Sequence, residues 1–299
     1  MLRVACGFFV KTLILFLLVT LPLRAADRIR VSSFSTILTE VATEVGGSRV
    51  AVTGHVKPGI DPHEFEPKPA DMKTVGDAHL ILLSAKHMEG YVGKLKEATG
   101  AKGRLIEVGD GFASLKLPGD HDGHDHGDED PHWWHSVTNV GKATKIVRDE
   151  LIKVSPDDRA VFTENAVKYL ARLDGLQKWT KTKIAELPRD QRKLVTSHDA
   201  FQYFARENGF TIFAIEGISG SDQPSSKKVG AIIAVIRDQR VKAIFPESIQ
   251  NPKVLTQITK ESGAKVGREL YADGLGDGAA ATYEGMYKYN VTAIVEALK

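Results

Sequence analysis

Residues 155–187 read SPDDRAVFTENAVKYLARLDGLQKWTKTKIAEL, and this stretch decides how the rest of the chain is divided. Its opening SPDD supplies a capping serine, a proline at the first helical position and acids in the first turn, where they complement the positive end of a helix. Apolar residues recur at Phe162, Val167, Leu170, Leu173, Leu176, Trp179 and Ile184, near helical spacing, and Pro188 ends the pattern. The spacing predicts one helix over 155–187, roughly 45 to 50 Å long at 1.5 Å per residue. A rod of that length is naturally a strut between two lobes. The competing reading is one large doubly wound domain with a long surface helix.

Short β-branched runs flank the stretch on both sides. RIRVSSF, SRVAVTG, HLILLS and GRLIEVG precede it, and KLVTSH, FTIFAIEG, VKAIFPES and AKVGRELYA follow it. Four strands per half, each leading into a helix or a long loop, predict an α/β protein of two mainly parallel-sheet (β/α)4 lobes joined by one long rigid helix. The expected organisation is a signal peptide over 1–26, an N-terminal lobe over 27–154 with a histidine-rich loop at 120–130, the linking helix over 155–187, and a C-terminal lobe over 188–299.

Arg3 and Lys11 precede the apolar run TLILFLLVTL, which is too short to span a bilayer and leads to the small residues Ala25 and Ala26. This reads as a cleaved secretory signal. The only cysteine, Cys6, lies within it and before the apolar run, so the mature chain has no disulfide, no thiolate ligand and no cysteine placed for a lipid anchor. A bacterial periplasm is the expected compartment. Removing Arg3, Lys11 and Arg24 leaves 37 basic residues against 38 acidic ones, so charge implies neither nucleic acid nor a membrane surface as partner.

Five of the ten histidines fall between His121 and His135, in HDGHDHGDED followed by PHWWH. Imidazole and carboxylate at that density point to metal. The first run carries glycines and charges and no apolar residue, so it reads as a solvated loop in which His121, His124 and His126 hold an ion loosely. Stronger candidates sit where strands end, since ligands of open α/β sheets collect at the carboxyl edge. His63 lies in GHVKPGIDPHEFEP after the second strand, His132 in EDPHWW after the fourth, His198 ends LVTSH, and Asp273 lies in LYADGLG after the last. Each half thus offers two groups to a cleft between the lobes. Three neutral imidazoles and one carboxylate suit zinc, and cobalt or manganese as well. Both His63 and His132 stand in Asp-Pro-His, where proline stiffens the backbone. His55, His79 and His87 read as ordinary polar residues. His135 shares a helical face with His132 if a turn forms there, and Glu247 in FPES is placed either to orient a ligand imidazole or to form an ion pair.

DPHEFEP, DPHWW, SHDAFQYFARENGF, and YADGLG followed by TYEGMYKYNVTAIVEAL resemble the zinc and manganese substrate-binding proteins of bacterial ABC importers, in order and over essentially the whole mature chain. The resemblance implies two α/β lobes joined by a long helix, with a buried metal between them. Position by position it makes His63, His132, His198 and Asp273 the ligands. Manganese-preferring members often carry glutamate at the third position, so His198 favours zinc, with manganese as the alternative. The acidic histidine loop resembles that of zinc-specific members but is shorter. The implied function is high-affinity capture of zinc by a monomeric periplasmic protein and delivery to a membrane permease driven by a separate ATPase, with a periplasmic metallochaperone as a further partner. A zinc hydrolase is the rival class, but four protein ligands would close the position that catalytic zinc keeps for water, and no HExxH, GxGxxG or P-loop sequence occurs.

Overall fold

The computed structural model describes residues 28–99, 103–116, 129–219, 224–247 and 252–299. The expected signal segment and His121, His124 and His126 lie outside them.

Two four-stranded sheets, all parallel, form the framework. The first comprises β1 (Ile29–Ser33), β2 (Val50–Gly54), β3 (Leu80–Leu83) and β4 (Arg104–Glu107) in the order β2-β1-β3-β4. The second comprises β5 (Lys193–Thr196), β6 (Thr211–Ala214), β7 (Ala243–Phe245) and β8 (Lys265–Val266), in the matching order β6-β5-β7-β8. The eight expected strands are therefore all present. The last is far shorter than AKVGRELYA suggests. It stops at Gly267, where a Cβ would lie 2.7 Å from the Phe245 ring.

Helices cover both faces of each sheet, which is why the strands are apolar on both sides. In β3, Leu80 and Leu82 face α1 (Thr36–Gly46) and α4 (Val137–Val154), while Ile81 and Leu83 face α2 (Pro69–Gly76) and α3 (Val92–Thr99). This is the two-residue period of a strand split between two cores. In the second sheet, Leu194 and Phe245 join the core made with α6 (Gln202–Asn208) and α9 (Tyr283–Leu298). Val195 and Ile244 join the one made with α7 (Ser226–Asp238) and α8 (Pro252–Ser262).

The linking helix α5 spans Arg159–Ile184, about 39 Å at 1.5 Å per residue, and packs on α1, α4 and α9. It is shorter than the expected 155–187. SPDD does not cap it: Ser155 closes α4 through its N–H to the Leu151 carbonyl (2.9 Å), and Pro156–Asp158 form a 3-10 turn between the two helices. The capping signals are spent on that corner, where the Ser155 hydroxyl also donates to Asp158 (2.9 Å). The buried face of α5 runs through Phe162, Ala166, Tyr169, Leu173, Leu176, Thr180 and Ile184. Val167, expected on that face, is 59% exposed. No helix among the described residues is long and apolar enough to cross a membrane.

Candidate metal centre

The two Asp-Pro-His sequences fold alike. Asp61 Oδ1 accepts the His63 N–H (2.8 Å) and Asp130 Oδ1 accepts the His132 N–H (2.9 Å), so each aspartate turns back on the residue two places on while the intervening proline fixes the backbone. Asp130 does more. It also bonds His132 Nδ1 (2.8 Å), which leaves Nε2 as the bare nitrogen facing the cleft. Trp133–His135 then form a 3-10 turn wedged between the lobes.

On the other side, His198 follows β5 by two residues and is buried. Glu247, just after β7, accepts the N–H groups of Ser197 (3.2 Å) and His198 (3.3 Å), and its Oε2 makes a very short contact with His198 Nδ1. Glu247 thus plays for His198 the orienting part that Asp130 plays for His132. Asp273 enters from the loop after β8.

These four side chains meet. One donor atom from each of His63, His132, His198 and Asp273 lies within 4.8 Å of all the others. Nε2 of His63 and His132 are 3.1 Å apart, and Asp273 Oδ1 is 3.2 Å from His198 Nε2, 3.6 Å from His132 Nε2 and 3.8 Å from His63 Nε2. A tetrahedral ion with bonds of about 2.0 to 2.1 Å requires edges of about 3.3 Å, so the spacing fits such an ion at the centre. Among the described residues this is the only such cluster of metal-ligating groups.

The electrostatics are those of a site prepared for a cation. Burial alone would lower the proton affinity of His132, but hydrogen bonds to Asp130 and Asp273 outweigh it and raise the pKa. In His198 burial is likewise overcome by the charges of Asp273 and Glu247, and the pKa stands well above the usual value. Burial opposes ionisation of Asp273, yet the imidazoles around it hold its pKa well below the ordinary range. Asp61 is pushed up by burial and by Asp273.

The remaining histidines behave otherwise. His55 is buried between Asp71 (3.0 Å) and Ser32 (3.2 Å) and stacks on Phe34, and His79 Nδ1 accepts the Arg30 N–H (3.0 Å). His87 is exposed, in a left-handed backbone conformation. His135 is buried and is not among the four converging groups. Its Nε2 donates to the Ala272 carbonyl (2.7 Å), and burial, with the nearby His132, lowers its pKa to about 3. The orienting role of Asp130 was not anticipated, although its signal was the repeated aspartate before each Pro-His.

Two α/β lobes bridged by one helix, with three imidazoles and a carboxylate converging between them, define a metal-binding protein of the two-lobed solute-binding class. Residues 31–297 match the family of the zinc-uptake complex component A, periplasmic, ZnuA, and the chain belongs to that family. Its members are substrate-binding proteins that serve an ABC importer's permease and ATPase, and they are not enzymes. The chain is 30% identical to the manganese-binding lipoprotein MntA of Bacillus subtilis (strain 168), over 92% of this chain and 91% of that one. It superposes on the periplasmic zinc binding protein TroA from Treponema pallidum with a TM-score of 0.83 at 28% identity, covering 91% and 99% of the two chains. A Mn-bound periplasmic metal binding protein from Candidatus Liberibacter asiaticus gives 0.81 at 27% identity, covering 91% and 100%.

Proposed function

We propose that the chain captures zinc in the periplasm and hands it to the permease of its importer, with His63, His132, His198 and Asp273 as the four ligands. The convergence of these four donors, one pair from each half of the chain, carries the reading. Three nitrogens and one carboxylate oxygen at near-tetrahedral spacing suit zinc, whereas manganese favours oxygen-rich, higher-coordinate shells and binds any such site less tightly. Manganese is the second reading, and the similarity to MntA and to a Mn-bound structure is what favours it.

The rest of the reading follows from this assignment. Residues 1–26 are an export signal, 27–154 and 188–299 are the lobes, and 155–187 is the connecting segment. The run with His121, His124 and His126 gathers cations loosely for the cleft, from solution or from a metallochaperone, and the protein acts as a monomer. Metal analysis of protein purified without a histidine tag, followed by competition between zinc and manganese at the single tight site, tests the assignment. Stoichiometric zinc displaced by equimolar manganese would overturn it.

A further inference from the structure

The loop that carries Asp273 belongs by sequence to the C-terminal lobe, but its hydrogen bonds are divided. At its ends Tyr271 exchanges bonds with Asn290 (3.0 and 2.8 Å) and Gly276 donates to Ala280 (3.0 Å), all within the C-terminal lobe. Between them the partners change sides. The Ala272 carbonyl accepts from Trp134 Nε1 (2.8 Å) and from His135 Nε2 (2.7 Å), two donors on the turn that follows His132. Leu275 N–H donates to Thr36 Oγ1 (2.9 Å), and Gly274 comes so close to Thr36 that a Cβ would lie 2.6 Å from Oγ1. Asp273 is therefore pinned on both sides to the N-terminal lobe. The turn itself is held firmly, since Tyr283 and Tyr287 of α9 donate to the carbonyls of Trp134 (2.7 Å) and His135 (3.3 Å).

We propose that His135 is a positioning residue for Asp273. With Trp134 it fixes the Ala272 carbonyl to the turn bearing His132, so that the carboxylate of Asp273 is held in register with the His132 imidazole. His135 suits the task because it is buried and its partner is a carbonyl, so its Nε2 carries a proton and donates rather than coordinates. Its ring also lies 4.3 Å from that of Phe201, which a phenylalanine in its place would preserve.

The proposal rests on the metal-centre reading, and the test separates the two. Zinc release from loaded protein into excess chelator is followed by stopped flow for the natural chain, His135→Phe, His135→Gln, Asp273→Ala, and the double variant of His135→Phe with Asp273→Ala. His135→Phe keeps the ring but removes the donor and is expected to speed release by roughly ten- to a hundredfold, the usual effect of losing a group that orients a ligand. His135→Gln restores an N–H and brings the rate back to within about threefold of the natural chain. Added to Asp273→Ala, His135→Phe changes the rate by less than about twofold, because no carboxylate is left to aim. Release from His135→Phe at the natural rate, or an equal acceleration with and without Asp273, overturns the proposal while leaving the metal centre standing. Absence of tight zinc from the natural chain overturns both. If His135→Phe does not fold, as judged by far-ultraviolet circular dichroism, the same cycle with Trp134→Phe removes the other donor and is read in the same way.

Discussion

Asp-Pro-His occurs twice, and one local solution serves both proposed ligands: an aspartate folded back onto the histidine N–H, and a proline that keeps it there. Replacing His63, His132 or His198 by alanine removes a donor without disturbing the strand that precedes it, so each variant is expected to fold and to lose zinc affinity by at least roughly a hundredfold. Chelator competition measures this, and near-natural affinity in all three would end the assignment. The same residues set the pH dependence. His132 and His198 have raised pKa values in the ion-free protein, so protons compete with the ion up to higher pH than for free imidazole, near 6.5. Affinity should be greatest above that raised range and fall as pH drops through it, by about one decade per pH unit for each proton displaced. A flat profile from pH 8 to 5 would show that these imidazoles are not the donors. The sequence makes the repeated motif plain. It offers Glu247 as a group that orients a ligand imidazole but does not say which one, because a pairing across about fifty residues depends on which strands become neighbours, and β5 and β7 are adjacent only in the folded sheet.

At the scale of elements, α5 shows where periodicity reads well and where it fails. The helix and its linking place were legible from spacing and from Pro188. Its buried face was legible in part: Phe162, Leu173, Leu176 and Ile184 lie on it as the spacing predicts, but it also includes Ala166, Tyr169 and Thr180, which a search for large apolar residues passes over, while Val167 is apolar and lies outside. Long helices between lobes have weak amphipathicity because different neighbours cover them along their length, here α1, α4 and α9. A pair of substitutions tests the observed face. Leu173→Ala, at a site 4% exposed, should cost about 2 to 5 kcal/mol of unfolding free energy through the cavity it leaves, whereas Val167→Lys should change stability by no more than about 0.5 kcal/mol. Chemical denaturation of both variants decides it, and the reverse order of effects would mean that α5 is rotated from the position described.

For the molecule as a whole, the decisive feature is that the lobes do not have separate main cores. One continuous cluster runs from Val31 and Leu80 in the first sheet through Phe162, Tyr169 and Leu176 of α5 to Phe204, Phe245 and Val291 in the second lobe. A shared core opposes wide opening, so the lobes should shift only slightly when the ion leaves, and they should unfold together rather than in sequence. On the proposed assignment zinc would add to this coupling, because its ligands would come from both sides. At a thousandfold excess over its dissociation constant, a ligand specific to the folded state contributes about 4 kcal/mol, which for a chain of this size raises the melting temperature by roughly 10 °C. Calorimetry of the ion-free protein should show a single transition, and saturating zinc should move that whole transition upward without splitting it. Two transitions, only one of which responds to zinc, would place all the ligands within one lobe's unfolding unit and remove the argument for a centre built across the cleft.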